Sequence, residues 1–167
     1  GALPRIGPAA EFTLTDQNGQ SLSLRQLHGK VVVLGFIYTS CTDACPALTA
    51  KLVRLQQRLG STTGSRAHFV AITVDPARDT PAVLREYAGR LGALGVGWTF
   101  LTGGEAAVRE LAAHYGVAVR VTAGEVEHTF LTSLIDAGGS LRVQYLGTQF
   151  NSDEMLGDIR ALLAEQR

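Results

Sequence analysis

A chain of 167 residues with 46% hydrophobic and 18% charged residues has the size and composition of one globular domain, and we expect residues 1–167 to fold as one. Fifteen basic and fifteen acidic side chains cancel, which argues against a nucleic-acid partner or an anionic membrane surface. No apolar run approaches the roughly 18 residues that span a bilayer. Because the chain opens on Gly1 and not Met, we expect a trimmed protein whose signal or membrane anchor precedes a loose segment at residues 1–10.

The first quarter of the chain predicts a hairpin followed by a buried strand. Residues 12–15 and 22–24 alternate apolar with polar side chains around an Asn-Gly pair, which is a strong hairpin signal. Residues 31–38 form an apolar, largely β-branched run, typical of a strand that is buried on both faces. Pro46 then suits the first position of a helix, which we expect to end at Gly60.

The remainder alternates strands with helices. Residues 67–74 read as a strand, and Thr80 followed by proline predicts the start of a helix. The later elements are a strand at 98–101, a helix at 105–115, two strands at 129–135 and 141–146 joined by a turn, and a closing helix capped by Asn151. This order predicts an α/β fold with a mixed central sheet flanked by helices.

The only two cysteines, Cys41 and Cys45, follow the central strand at its turn into a helix. The N-terminus of a helix favours a thiolate, whereas the nearby Asp43 opposes it. Two thiols at this spacing can close a disulfide or bind one soft metal ion, and the spacing alone does not choose between them. A buried, inert pair is the structural alternative, and the position at a strand-to-helix turn argues against it.

Four histidines could complete such a site. We expect His28 to face solvent in a turn, and His68 and His114 to be structural, in a strand and at the end of a helix. His128 differs because it follows a loop at residues 122–127 and directly precedes a strand. Doubly wound sheets present their ligand-binding loops at such positions, which makes His128 a candidate ligand.

Three segments, residues 41–46, 74–81 and 127–129, occur in an order and at a spacing that resemble the Sco (SenC) family of copper-binding thioredoxin-fold proteins. The resemblance extends over nearly the whole chain. It implies a thioredoxin-like fold with an added N-terminal β-hairpin. Thr42 stands where family members often carry proline, which makes the loop less rigid but removes no ligand.

The resemblance also implies a function. In the family, two cysteines and a histidine bind copper, which corresponds to Cys41, Cys45 and His128, and the protein helps to build the copper A centre of cytochrome c oxidase. The implied partners are the oxidase subunit that carries this centre and other copper carriers. The implied protein is the monomeric, soluble portion of a membrane-anchored protein on the periplasmic side of the bacterial inner membrane, with the mitochondrial intermembrane space as the alternative.

The chemistry of the three side chains agrees with copper. Two thiolates and one imidazole suit Cu(I), and Cu(II) would recruit a further oxygen or nitrogen donor. Asp75 ends the strand next to the cysteine strand, so it could serve as that donor or lie beside the ligands; its alternative role is a turn residue before Pro76. Zinc would need a fourth ligand that the nearby sequence does not supply.

The same cysteines support a second hypothesis, a thiol-disulfide oxidoreductase in which Cys41 and Cys45 are catalytic and reduce the cysteines of a partner's copper site. We favour a copper chaperone over a turnover enzyme. A thiol peroxidase fits less well, because peroxiredoxins place Thr three residues before the reactive cysteine and this chain has Tyr38 there.

Overall fold

The computed structural model describes residues 3–166, which form four α-helices, ten strands and two short 3-10 helices. The helices are α1 (Ala44–Leu59), α2 (Pro81–Arg90), α3 (Glu105–His114) and α4 (Ser152–Ala164). The strands are β1 (Gly7–Pro8), β2 (Thr13–Asp16), β3 (Ser21–Ser23), β4 (Val31–Ile37), β5 (Ala67–Thr73), β6 (Trp98–Thr102), β7 (Val119–Thr122), β8 (Glu125–His128), β9 (Leu131–Ile135) and β10 (Ser140–Leu146).

Eight of the strands form one mixed sheet in the order β1-β10-β9-β4-β5-β6-β2-β3. β4 pairs parallel with β5 and antiparallel with β9, so it lies in the middle of the sheet. β5 pairs parallel with β6, and the N-terminal hairpin of β2 and β3 joins antiparallel to β6. The predicted mixed sheet and added hairpin are therefore confirmed.

The central strand β4 is buried along its whole length because both faces of the sheet are covered. Side chains alternate between the faces of a strand, so Val31 and Val33 point to one side and Val32 and Leu34 to the other. The first face packs against helices α1, α2 and α4. The second packs against α3, the N-terminal hairpin and one residue of β8, Val126.

The expectation of a loose segment at residues 1–10 is wrong over most of the described part of that range. β1 pairs antiparallel with β10, and the Ile6 and Ala9 amides donate to carbonyls of that region. The buried guanidinium of Arg142 also donates hydrogen bonds to the backbone carbonyls of Leu3 and Pro4. Residues 1 and 2 lie outside the described residues.

The starts of α2 and α4 and the end of α1 follow local sequence signals. The Thr80 hydroxyl accepts the Val83 amide at the start of α2, and the Asn151 side chain accepts two amides at the start of α4. α1 ends at Gly60 as expected. None of the helices within residues 3–166 is both long and apolar enough to span a bilayer.

Candidate metal site

The two cysteines lie where β4 leads into α1. Cys41 is in the connecting turn, and Cys45 is the second residue of the helix. The helix begins earlier than predicted, so Pro46 is its third residue and not its first. A proline is tolerated there because the amides of a first helical turn have no partner within the helix.

The thiol of Cys41 occupies the position of a helix cap. Asp43 precedes the helix, but its side chain makes no capping hydrogen bond. Instead, the backbone amide of Cys45 donates to the Cys41 Sγ atom at 3.3 Å. The sulfur thus accepts one of the amides that have no partner within the helix at its first turn.

The two thiols differ in exposure. Cys41 is half-buried, whereas Cys45 is completely buried, and both are free cysteines. Burial raises the pKa of the Cys45 thiol above its ordinary value. A hydrogen bond to the Tyr38 backbone opposes this rise, and the neighbouring Cys41 adds to it. Cys45 is therefore a protonated thiol at neutral pH, and any metal that binds it must displace a proton.

His128 reaches the cysteines from the other side. Its Nε2 atom lies 3.9 Å from the Cys45 Sγ atom, and its Nδ1 atom lies 2.8 Å from the Thr129 carbonyl. A carbonyl can only accept, so Nδ1 carries the proton and Nε2 presents a lone pair toward the sulfur. Burial also lowers the pKa of His128, although the Thr129 hydrogen bond opposes the shift.

Two aromatic rings fix the orientation of the His128 imidazole. The Tyr38 ring meets it edge to face, with centroids 5.5 Å apart, and the Phe130 ring lies on its other flank at 4.4 Å. The sequence did not reveal the role of either residue, although Tyr38 precedes the cysteine turn and Phe130 lies two positions after His128. Their packing restricts the imidazole to rotamers that face Cys45.

The expected loop at residues 122–127 is wrong, because these residues belong to a second hairpin. β7 and β8 pair antiparallel and form a two-stranded sheet that is separate from the main one. Ala123 and Gly124 form the turn with φ of 51° and 80°. Two consecutive positive φ values match the twist of a two-residue hairpin. His128 is consequently the last residue of β8 and not part of a loop.

Asp75 follows β5 at the same edge of the sheet, but its carboxylate points to another partner. Its Oδ2 atom accepts a hydrogen bond from Arg78 at 3.2 Å, and the Arg78 guanidinium also donates to the Gly124 carbonyl at 2.7 Å. Among the described residues, Asp75 forms no hydrogen bond with either cysteine or with His128. The geometry thus links Asp75 to the hairpin turn and not to the sulfur atoms.

Asp79 holds the cysteine turn in place, a role that the sequence did not reveal. Its buried carboxylate accepts from the Thr39 amide at 3.1 Å, from the Thr39 hydroxyl, and from the Thr73 hydroxyl at 2.6 Å. Asp79 does not cap α2, whose capping residue is Thr80. These contacts join the residue before the turn to the end of β5.

The other three histidines lie apart from the cysteines. His28 is exposed and faces Glu11 at 3.7 Å, and His114 is exposed at the end of α3. His68 is largely buried in β5, where its Nε2 atom is hydrogen-bonded to the Thr99 hydroxyl at 2.7 Å. His128 is thus the histidine that the fold brings to the thiols.

The candidate site consists of Cys45 and His128 in contact, with Cys41 nearby as a third donor. Within residues 3–166, no three His, Cys, Asp or Glu side chains are close enough to hold a metal ion as they stand. Cys45 and His128 are in contact, and Cys41 is joined to Cys45 by the amide hydrogen bond. A three-donor site requires the Cys41 side chain to turn toward the other two.

A cleft of about 640 Å³ gives access to Cys41. Its walls are the cysteine turn, Arg78 and the β7–β8 hairpin. Asp43, Glu125 and Glu127 place carboxylates along its walls. The cleft is large enough for a partner's side chains to approach the half-buried sulfur.

The architecture is that of a thioredoxin-like protein, with the cysteines at the turn between a central strand and the following helix. The family model described as SCO1/SenC matches residues 5–164, and the chain belongs to this family.

Individual relatives agree with this assignment. A protein of Stutzerimonas stutzeri, provisionally named a copper-binding protein, is 35% identical over 145 residues, which cover 84% of this chain and 70% of the relative. The structure of Arabidopsis thaliana ScoI with copper bound is 26% identical, with a TM-score of 0.80 and coverage of 95% and 99% of the two chains. The structure of BsSco, described as having a disulfide switch and as a member of the Sco family of cytochrome c oxidase assembly proteins, is 26% identical, with a TM-score of 0.84 and 97% of both chains covered.

Proposed function

We propose that this protein binds copper through Cys41, Cys45 and His128 and delivers it to the copper A centre of cytochrome c oxidase. The observation that carries the proposal is the 3.9 Å contact between the Cys45 Sγ atom and the unprotonated Nε2 atom of His128. Two thiolates and an imidazole form a soft, low-coordinate donor set that suits Cu(I). The copper-bound relative and the family description as oxidase assembly proteins support both the metal and the partner.

The residues of the chain prepare this site in stages. The proton on Nδ1 and the rings of Tyr38 and Phe130 hold Nε2 toward Cys45. The Cys41 sulfur, which accepts the Cys45 amide at the start of α1, turns inward to become the third donor. Cys45 gives up its proton when the metal arrives, so copper affinity rises with pH.

The decisive experiment is an anaerobic Cu(I) titration of the reduced protein in competition with a chelator. We expect one tight equivalent, and a loss of affinity of about 10-fold or more in His128→Ala. His114→Ala removes an exposed histidine elsewhere and serves as the matched control. Equal affinities in the wild type and His128→Ala would exclude the three-donor site.

A second function has its own supporting observation, the half-buried Cys41 sulfur at an open cleft beside a buried Cys45. The Cys41 thiolate would attack a disulfide of the oxidase subunit, form a mixed disulfide and release one partner thiolate. Cys45 would then attack Cys41, which closes the Cys41–Cys45 disulfide and leaves the partner as a dithiol. A Cys45→Ser variant should trap the mixed disulfide with that subunit, and failure to trap it would count against this activity.

We place this activity on the periplasmic side of the bacterial inner membrane, with the protein acting as a monomer. The support is the proposed oxidase partner and a cysteine pair that can cycle between dithiol and disulfide in an oxidising compartment. A fusion of the natural full-length protein to a reporter that is active only outside the cytoplasm should be active. An inactive, stably produced fusion would contradict this location.

A further inference from the structure

The hairpin that carries His128 contacts the body of the protein through side chains: Val119 and Val126 pack on the core, and His128 meets Tyr38 and Cys45. Among the strands of residues 3–166, β7 and β8 pair only with each other and not with the eight-stranded sheet. Val126 anchors the hairpin by packing into the core on one face of the sheet. At its turn, the bond from the Arg78 guanidinium to the Gly124 carbonyl is the single side-chain hydrogen bond, within the described part of the chain, to the rest of the protein.

Arg78 is itself held by a buried group. The Asp75 carboxylate, whose side chain is only 10% exposed, accepts from the Nη1 atom of Arg78, while Nη2 donates to Gly124. The Thr73 hydroxyl accepts the Asp75 amide and fixes Asp75 at the end of β5. A guanidinium is a planar fork, so a partner on one side directs its other side. Asp75 therefore directs Arg78 toward the hairpin turn.

The backbone of the turn is shaped to receive this bond. Ala123 is the only non-glycine residue with a positive φ in residues 3–166, a conformation that costs an alanine roughly 1 kcal/mol. The Gly124 carbonyl that follows it is the acceptor for Arg78. A series of hydrogen bonds thus connects the end of β5, through Asp75 and Arg78, to Gly124, directly before the strand that ends at His128.

We propose that Arg78, oriented by Asp75, is a positioning residue that latches the β7–β8 hairpin over the cysteine turn and so presents His128 to the metal. This inference rests on the proposed copper site. It assigns Asp75 to the support of Arg78 and not to the metal. The charge of Arg78 alone would act in the opposite direction, because a cation beside the site repels a metal ion. Loss of the charge predicts tighter binding, and loss of the latch predicts weaker binding.

The test is a double-mutant cycle of Arg78→Gln with His128→Ala, read as Cu(I) affinity by anaerobic competition. We expect Arg78→Gln to weaken Cu(I) binding by about 10-fold in the wild-type background and by less than about twofold when His128 is already absent. Arg120→Gln is the matched control, since it removes the same charge from an exposed hairpin arginine that bonds only to Glu127 of the same hairpin. It should change the affinity by less than about twofold in both backgrounds.

Two further measurements separate position from charge. Arg78→Lys keeps the charge, but one ammonium cannot reproduce the two-sided fork, so it should bind Cu(I) as weakly as Arg78→Gln. In the metal-free protein, amides of residues 122–127 should exchange faster in Arg78→Gln than in the wild type or in Arg120→Gln.

Each outcome decides a different claim. Wild-type affinity in Arg78→Gln, or an equal loss in the His128→Ala background, overturns the positioning role. Rescue by Arg78→Lys shows that charge is what matters and also overturns it. If His128→Ala binds Cu(I) like the wild type, the proposed copper site fails, and the exchange measurement alone then decides the latch: faster exchange supports it and unchanged exchange overturns it.

Discussion

Cys45 and His128 are separated by 83 positions in the chain, yet their Sγ and Nε2 atoms lie 3.9 Å apart. The first is fixed in the initial turn of α1 and the second at the end of a small separate hairpin. The contact therefore depends on how that hairpin docks against the cysteine turn. The main sheet contributes as well, because β9, which begins shortly after His128, pairs with β4, the strand that leads into the cysteine turn.

The two thiols should react at very different rates. Cys41 is half-buried and its sulfur accepts a helix amide, whereas burial raises the pKa of Cys45 and keeps it protonated. We expect iodoacetamide at neutral pH to alkylate Cys41 in Cys45→Ser at least about tenfold faster than Cys45 in Cys41→Ser. Mass spectrometry of timed samples gives both rates, and equal rates would contradict the assigned environments.

Acid should destabilise the metal-free protein through His68. Burial lowers the pKa of His68 to about 4, and its Nδ1 atom is buried without a partner. His68 takes up a proton near pH 6.5 in the unfolded chain but only near pH 4 in the folded protein. The contribution of neutral His68 to the free energy of unfolding is therefore fully present above pH 6.5 and is lost as the pH falls from 6.5 to 4. We expect a loss on the order of 2 kcal/mol from urea unfolding at a series of pH values.

The matched comparison uses two single variants. His68→Gln should flatten the pH dependence between pH 6.5 and 4, while His114→Gln, at an exposed position, should leave it as in the wild type. A pH dependence that is unchanged in His68→Gln would show that another group is responsible.

Ala123→Gly should stabilise the hairpin. Ala123 has a φ of 51°, which glycine adopts without a steric penalty, so we expect a gain of about 0.5–1 kcal/mol in the free energy of unfolding. Ala107→Gly in α3 is the control of opposite sign, because glycine within a helix costs about 1 kcal/mol. Thermal unfolding measures both, and a lower stability for Ala123→Gly would indicate that the turn is not strained.

Asp79→Ala should weaken the anchoring of the cysteine turn. The substitution removes the acceptor for the Thr39 amide and for the Thr39 and Thr73 hydroxyls, at a cost of about 2–4 kcal/mol. Asp153→Ala removes an exposed carboxylate that pairs with Arg58 and should cost less than about 1 kcal/mol. Urea unfolding compares the two.

Cys41 alkylation provides a second measurement on Asp79→Ala. Without the hydrogen bonds of Asp79, the cysteine turn should open more often, so that Cys41 is alkylated faster. A variant as stable as Asp153→Ala, with an unchanged rate, would show that the three hydrogen bonds do not hold the turn.

Local signals explain why much of the fold could be predicted. The β-branched run of β4, the Asn-Gly turn after β2 and the caps at Thr80 and Asn151 each depend on neighbours in the chain. Their geometry is set by backbone propensity and nearby hydrogen bonds, which the sequence displays directly.

The β7–β8 hairpin shows where that reasoning failed. Its turn is Ala-Gly in place of the favoured Asn-Gly, so the usual signal is weak. A fainter signal was present. Val119 and Val121 before the turn, and Val126 after it, alternate with polar residues. Reading that alternation would have moved His128 from a loop to the end of a strand.

Asp79 and β1 could not be read locally at all. Asp79 bonds to Thr39 and Thr73. Thr39 follows β4 and Thr73 ends β5, so the two meet only when these parallel strands pair. β1 is two residues long and depends on β10 for its definition, more than 130 positions away. Both features are tertiary, so no pattern within a short window predicts them.

The separation of the hairpin from the main sheet has a consequence for how this family can diversify. Substitutions at the exposed positions of β7, β8 and their turn, in contrast to Val126, can alter how firmly the histidine is held without removing side chains from the two layers around β4. Substitutions in those layers change the melting temperature, and they do not require a change in the exposed residues of the hairpin. The docking of His128 and the packing of the core can therefore be changed largely at different positions of the same chain.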